Sequence, residues 1–157
     1  MLIFAFGSNL DFRQMLTRCP RARLVGKADL RNYRLAFAGY AHGWGGAVAT
    51  VEPAAGHRTP GLLFAVGPAD LATLDRYEGH PGVYRRVRGV VRDERGRPVD
   101  ASWYVLEGRP AGAPSERYAA QIRRAWRLCG WDVRRLDRAI ARSSSSSSRG
   151  ESWRSTG

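Results

Sequence analysis

Few residues in this chain have a type and setting that suggest chemistry, and they lie far apart. Near the amino terminus an apolar run, Leu2–Phe6, breaks into Gly7-Ser8-Asn9 and returns to Leu10. A buried strand can end in any polar turn. A Gly-Ser-Asn turn also sets bare backbone N–H groups beside short polar side chains, which suits an oxygen-rich ligand. The stretch alone admits both readings. The second feature is Glu78, between Tyr77 and Gly79, at the end of a segment with helical apolar spacing. A carboxylate there faces the negative end of the helix dipole, which disfavours its charged form. If it also points into a pocket, desolvation raises its pKa toward a value useful for proton transfer near neutral pH. A solvated Glu in a turn is the reading that position alone favours. His42, His57 and His80 stand apart from one another, and each reads as solvated. Cys19 has no His or Lys close in sequence to activate it and reads as a packed or partly exposed thiol. No P-loop, Rossmann glycine fingerprint, zinc-ligand spacing or nucleophile elbow is found.

The elements that must position these groups follow from periodicity and caps. Leu2–Phe6 reads as a buried strand. Asp11 is placed to cap a short helix that stops before Pro20. Strand-like runs follow around Leu24–Ala28 and Tyr33–Ala38. A Gly-rich loop, Gly39–Gly46, then leads into Ala47–Val51. GLLFAV after Pro60 is another buried strand. Pro68 opens a helix with Leu71, Leu74 and Tyr77 at helical spacing, and Gly79 ends it with a left-handed cap. Val83–Arg92 and Val99–Leu106 flank a DERGRP turn as a long hairpin whose second arm is covered on both faces. Ser115 caps a helix carrying Tyr118, Ile122, Ala125, Trp126 and Cys129 on one side; Gly130 ends it. Asp132 caps the next helix, with Val133, Leu136 and Ile140 inward. Strands, an inserted helix, a hairpin and terminal helices make an α+β chain: a small mixed, partly closed β-barrel with one inserted helix and C-terminal helices.

Composition narrows the class. At 157 residues, 43% hydrophobic and 10% aromatic, the chain matches one domain with one core. No apolar run reaches the length of a membrane span, and Leu2–Phe6 is too short for a signal-peptide core, so a cytoplasmic protein is expected. Cys19 and Cys129 fit a reducing compartment as isolated thiols. The net charge is +12, and Lys27 is the only lysine among 26 basic residues. Because these residues spread along the whole chain without a nucleic-acid motif, they read as a solvated, Arg-rich exterior; a nucleic-acid binder would instead show salt-dependent affinity. Beyond Arg142 the sequence is polar and of low complexity. It suggests a body of residues 1–142 and a disordered, dispensable tail of residues 143–157.

FAFGSNL, GWGGAVATV (Gly43–Val51), PGLLFAV followed by LATLDRYEG, and APSERY (Ala113–Tyr118) occur in an order that resembles the gamma-glutamylcyclotransferases. The resemblance covers nearly all of residues 2–142. It implies a partly closed barrel and an intramolecular aminolysis. The α-amine of a gamma-glutamyl group attacks its own side-chain amide carbonyl, releasing 5-oxoproline and an amine or amino acid. Nucleophile and electrophile share one molecule, so such an enzyme needs mainly a ring-forming conformation, one proton shuttle and donors for the oxyanion. By this resemblance Glu78 is the catalytic acid/base. Gly7, Ser8, Asn9 and Leu10 cradle the gamma-glutamyl group over a strand wall of Ile3, Phe4, Ala5 and Phe6, and Tyr118 contacts substrate. The resemblance implies no metal or cofactor, no specific nucleic acid and no membrane; the partner is a small gamma-glutamyl molecule, and oligomeric state is left open. Gamma-glutamyl amines, or a gamma-glutamyl group removed in a biosynthetic pathway, are the alternative substrates, and a binding module on the same fold the alternative class. Phe6 departs from the family pattern, where many relatives carry Tyr and so offer a phenolic hydroxyl.

Overall fold

Two long strands make up most of the sheet. The computed structural model describes residues 1–151, and the side chains of residues 1–148. The strands are β1 (Leu2–Ala5), β2 (Arg23–Ala41), β3 (Gly46–Ala65), β4 (Arg85–Asp93) and β5 (Pro98–Val105). The helices are α1 (Phe12–Arg18), α2 (Pro68–Glu78), α3 (Glu116–Cys129) and α4 (Val133–Glu151), with a 3₁₀ turn at Ser8–Leu10. The strands pair in the order β1-β3-β2-β4-β5 and close into a barrel where β1 runs parallel to β5, Ile3 opposite Ser102. The barrel expected to be partly closed is closed. β1 lies antiparallel to the end of β3, from Leu2 opposite Ala65 to Ala5 opposite Leu62.

The segments expected as separate strands are halves of β2 and of β3. Register shifts at Leu24/Gly26, Arg31/Tyr33 and Ala38/Ala41 bend this ribbon without ending its pairing, as bulges do. Asn32 adopts φ 62° within one of them, and its Oδ1 accepts the Gly56 N–H at 3.1 Å. The caps read from sequence are in place. Asp11 accepts from Gln14 N at 3.1 Å, Ser115 from Tyr118 N at 3.2 Å and Asp132 from Arg134 N at 3.0 Å. The core is built on Phe4, Phe37, Phe64, Leu74, Ile122, Trp126 and Leu136, all essentially inaccessible. Tyr77, expected inward, is exposed, with the Arg18 guanidinium 4.8 Å over its ring.

The boundary expected at Arg142 falls inside a helix. α4 continues to Glu151, and Ser143 is buried against β2, its Oγ accepting the Phe37 N–H at 3.0 Å. Ser144 and Ser146 donate to the carbonyls of Ile140 and Arg142, four residues back, at 2.8 and 3.0 Å. Serine hydroxyls satisfied by their own helix no longer compete with it for backbone groups. The remainder of the expected tail, residues 152–157, lies outside the described residues. Among the described residues no helix is long and apolar enough to cross a membrane.

Candidate active site

The turn after β1 is fastened by the helix that follows it. Gln14 and Arg18 sit one turn apart on α1, on the face above the turn. Gln14 Nε2 donates to Ser8 Oγ at 2.8 Å and to Asn9 Oδ1 at 3.1 Å, and Arg18 Nη1 donates to Asn9 Oδ1 at 3.0 Å. From α3, Gln121 Nε2 donates to the Ser8 carbonyl at 3.2 Å and to Gln14 Oε1 at 2.9 Å. With its Oδ1 taken by two donors, Asn9 turns its Nδ2 to Glu78 Oε1 at 3.0 Å. Among the described residues no acceptor takes the N–H groups of Gly7, Ser8 and Asn9. A side chain at Gly7 would put its Cβ 3.1 Å from the Ala49 Cβ, closing the space that these donors face.

Glu78 is delivered by the end of α2. Gly79 takes the left-handed conformation (φ 68°), and its N–H closes on the Arg76 carbonyl. The chain then reverses, with Tyr84 N donating to the Glu78 carbonyl at 3.2 Å. The Glu78 side chain is 14% exposed, and Arg18 Nη1 lies 3.8 Å from its Oε1. Burial pushes the Glu78 carboxyl above its ordinary value; the Arg18 charge and the Asn9 hydrogen bond oppose this and do not cancel it. A raised carboxyl pKa moves the group toward the range suited to general acid–base exchange.

Three tyrosines complete the walls. Tyr118 Oη accepts the Ala49 N–H at 2.8 Å, and Tyr84 Oη donates to the Ala49 carbonyl at 2.8 Å. Both hydroxyls are thereby pinned to one residue of β3. Tyr104 Oη donates to Asp75 Oδ1 at 2.6 Å, and Asp75 is paired with Arg86 at 3.0 Å. Burial raises the pKa of all three phenols, which therefore stay protonated as hydrogen-bond groups. Burial also pushes Asp75 up, but the Tyr104 hydrogen bond and Arg86 outweigh it and hold that carboxyl below its ordinary value. Two carboxylates one helical turn apart are thus driven in opposite directions. Asp75 is held toward its ionised form, and Glu78 toward its protonated form.

These groups line a recess of about 50 Å³, which meets an outer cleft of about 400 Å³ along Ser8, Glu78, Tyr84 and Tyr118. Of the residues expected at the site, Ile3, Phe4, Ala5, Phe6, Gly7, Ser8, Asn9, Glu78 and Tyr118 all border the recess. Leu10 does not. Its side chain is buried away from it, and its N–H is donated to the Gly7 carbonyl at 3.1 Å. His80, expected to be solvated, is half-buried and accepts the Arg86 N–H on Nδ1 at 3.0 Å. Cys19 is buried against Asp70, and burial pushes its thiol up to about 11, an unreactive state. The reading from sequence missed Gln14, Arg18, Ala49, Tyr84, Tyr104 and Gln121. The spacing of Gln14 and Arg18 just after the turn was a usable signal. Tyr84 and Tyr104 look like any strand aromatics.

A family model described as gamma-glutamyl cyclotransferase, AIG2-like, matches residues 3–127. The chain is similar to the gamma-glutamylcyclotransferase of Mus musculus, 27% identical over 126 residues, covering 77% of this chain and 67% of that one. It is similar to that of Homo sapiens at 28% over 123 residues, covering 74% and 65%. The match thus spans about two thirds of the length of these relatives. Among solved structures, one titled gamma-glutamyl cyclotransferase superposes with a TM-score of 0.82 at 24% identity, over 88% of this chain and 85% of that one, a likeness of fold.

Proposed function

Because this chain belongs to the gamma-glutamyl cyclotransferase, AIG2-like family, we propose that it closes a gamma-glutamyl group into 5-oxoproline and expels the attached amine. The observation that carries this reading is a mostly buried carboxylate in the recess, Glu78, held 3.0 Å from Asn9 Nδ2 across from a turn whose N–H groups have no acceptor among the described residues. Glu78 takes a proton from the substrate's α-ammonium, freeing the amine to attack the side-chain carbonyl carbon. The new C–N bond closes a five-membered ring, and the oxyanion develops opposite the N–H donors of Gly7, Ser8 and Asn9. Glu78 then returns the proton to the leaving nitrogen as the oxyanion collapses and the old C–N bond breaks. The second proton, which the ring nitrogen sheds on becoming the lactam N–H, goes to the departing amine, which leaves as its ammonium. The Tyr118 hydroxyl, which accepts from Ala49, keeps its own proton for a substrate oxygen. The recess is small, which suits holding the gamma-glutamyl group in a ring-forming conformation.

The outer cleft favours one class of leaving group. Arg18, Arg76 and Arg109 border it, and among the described residues Glu78 is its only carboxylate. This charge suits a departing amino acid or peptide with a free carboxylate better than a cationic amine. Tyr40, Trp44 and Tyr77 offer apolar faces for its side chain. The test is incubation with gamma-glutamyl amino acids, peptides and amines, with 5-oxoproline followed by mass spectrometry. Release from the carboxylate-bearing substrates is expected, and no release from any of them would defeat the proposal.

A further inference from the structure

A second concave feature shares no residue with the recess. It is a groove of about 320 Å³ between α4 and the β2–β3 ribbon. Arg135, Arg138 and Arg142 recur at i, i+3 and i+7 on α4, so they form one stripe beside the inward Leu136 and Ala139. Arg34 of β2 and His57 and Arg58 of β3 face them across the groove, and among the described residues no carboxylate lines it. Glu52, outside the groove, pairs with Arg34 at 2.6 Å and its charge also reaches Arg142. Arg58 and Arg138 are exposed and in no ion pair among the described residues.

Two of these guanidiniums are already anchored. Arg135 Nη2 donates to the Arg58 carbonyl at 2.8 Å, and Arg142 Nη2 donates to the Leu35 carbonyl at 2.6 Å. Each keeps its remaining N–H donors for a ligand and has little side-chain freedom left to lose. Burial and then the charge of Arg34 hold the Arg142 guanidinium below its usual value, and the nearby Glu52 charge opposes this without cancelling it. Trp126, buried at the floor, has an Nε1–H with no partner among the described residues. Planar guanidiniums on two sides of a small groove match tetrahedral, multiply charged oxyanions, which accept two parallel N–H bonds from each Arg.

We propose that this groove binds a small multivalent phosphate, a di- or triphosphate group either inorganic or carried on a nucleotide. The groove is too small for a duplex.

The test is calorimetric titration of the full chain with sodium tripolyphosphate, beside ATP, AMP and a single-stranded oligonucleotide. Saturable tripolyphosphate binding is expected, weakening with added salt and raising the melting temperature. Arg58→Ala and Arg138→Ala should each weaken it by about tenfold, the effect of losing one charge-assisted contact. Arg95→Ala, exposed in the β4–β5 turn and equal in charge change, should leave it unaltered. ATP matching tripolyphosphate, with AMP much weaker, would support the groove as a reader of the phosphate chain. ATP binding more tightly, with AMP also bound, would support a nucleotide as the source. The proposal is overturned by an absence of saturable binding, by equal loss in Arg95→Ala, or by an oligonucleotide that displaces tripolyphosphate at far lower concentration. The last outcome would mark an extended nucleic-acid surface.

Discussion

At the scale of single residues, the reaction proposed here rests on one proton acceptor. Glu78→Gln keeps the shape and can still accept from Asn9, but cannot take the ammonium proton. Turnover should fall by about 10²–10⁴-fold, the usual cost of losing a general base. Substrate affinity should persist. A folded Glu78→Gln protein with undiminished 5-oxoproline release would remove Glu78 from the mechanism. The raised pKa also fixes a sign for stability. The folded state binds the Glu78 proton more tightly than the unfolded state does. This residue's contribution is therefore fully present at low pH and lost as pH rises from the ordinary carboxylate value through the raised one. Glu78→Gln should accordingly melt higher than wild type at neutral pH, and the gap should narrow in acid. A gap that instead widens on acidification would mean that Glu78 is stabilised as an anion. By the same shift, the acid limb of kcat/KM should lie above the range of an exposed carboxylate.

At the scale of elements, the end of α2 is the joint on which the proposed reaction depends. Gly79 is left-handed, and a Cβ there would lie 2.9 Å from Val83 Cγ2, on the segment that returns to Tyr84. Gly79→Ala should cost about 1–3 kcal/mol from backbone strain and overpacking together. It should lower activity beyond its effect on stability, because the clash moves Glu78 and Tyr84 relative to the turn after β1. Thermal melts and kinetics at a temperature where the variant is fully folded separate these effects. Wild-type kinetics in a destabilised Gly79→Ala protein would show that the cap supports the fold without aiming Glu78.

At the scale of the whole molecule, α4 ties the carboxyl-terminal region to the barrel. Ser143 Oγ is the acceptor for a buried N–H of β2, and α4 also brings Arg142 to the Leu35 carbonyl. Ser143→Ala leaves the Phe37 N–H unsatisfied and should cost about 1–3 kcal/mol. A chain ending at Arg142 should lose at least as much, although its sequence suggests that the serines are dispensable. Chemical denaturation of wild type, Ser143→Ala and the shortened chain measures this directly. Equal stability of all three would show that β2 holds without the helix.

What sequence alone determined was local. The strand that runs into Gly7-Ser8-Asn9, the caps at Asp11 and Ser115, and the Gly79 stop that places Glu78 at a helix end all depend on neighbours a few residues apart. The family likeness added the roles of Glu78 and Tyr118. The tertiary structure decided everything that joins distant segments. Asn9 and Glu78 meet across 69 residues, as do Ala49 and Tyr118, because the barrel closes β1 onto both β3 and β5. That closure takes Glu78 largely out of water, and its raised pKa follows from these surroundings rather than from its position in the chain. The serine run shows the same division. Poor helix formers by propensity, these residues are helical because Ser143 meets a buried N–H 106 residues away. No local pattern encodes a partner at that distance.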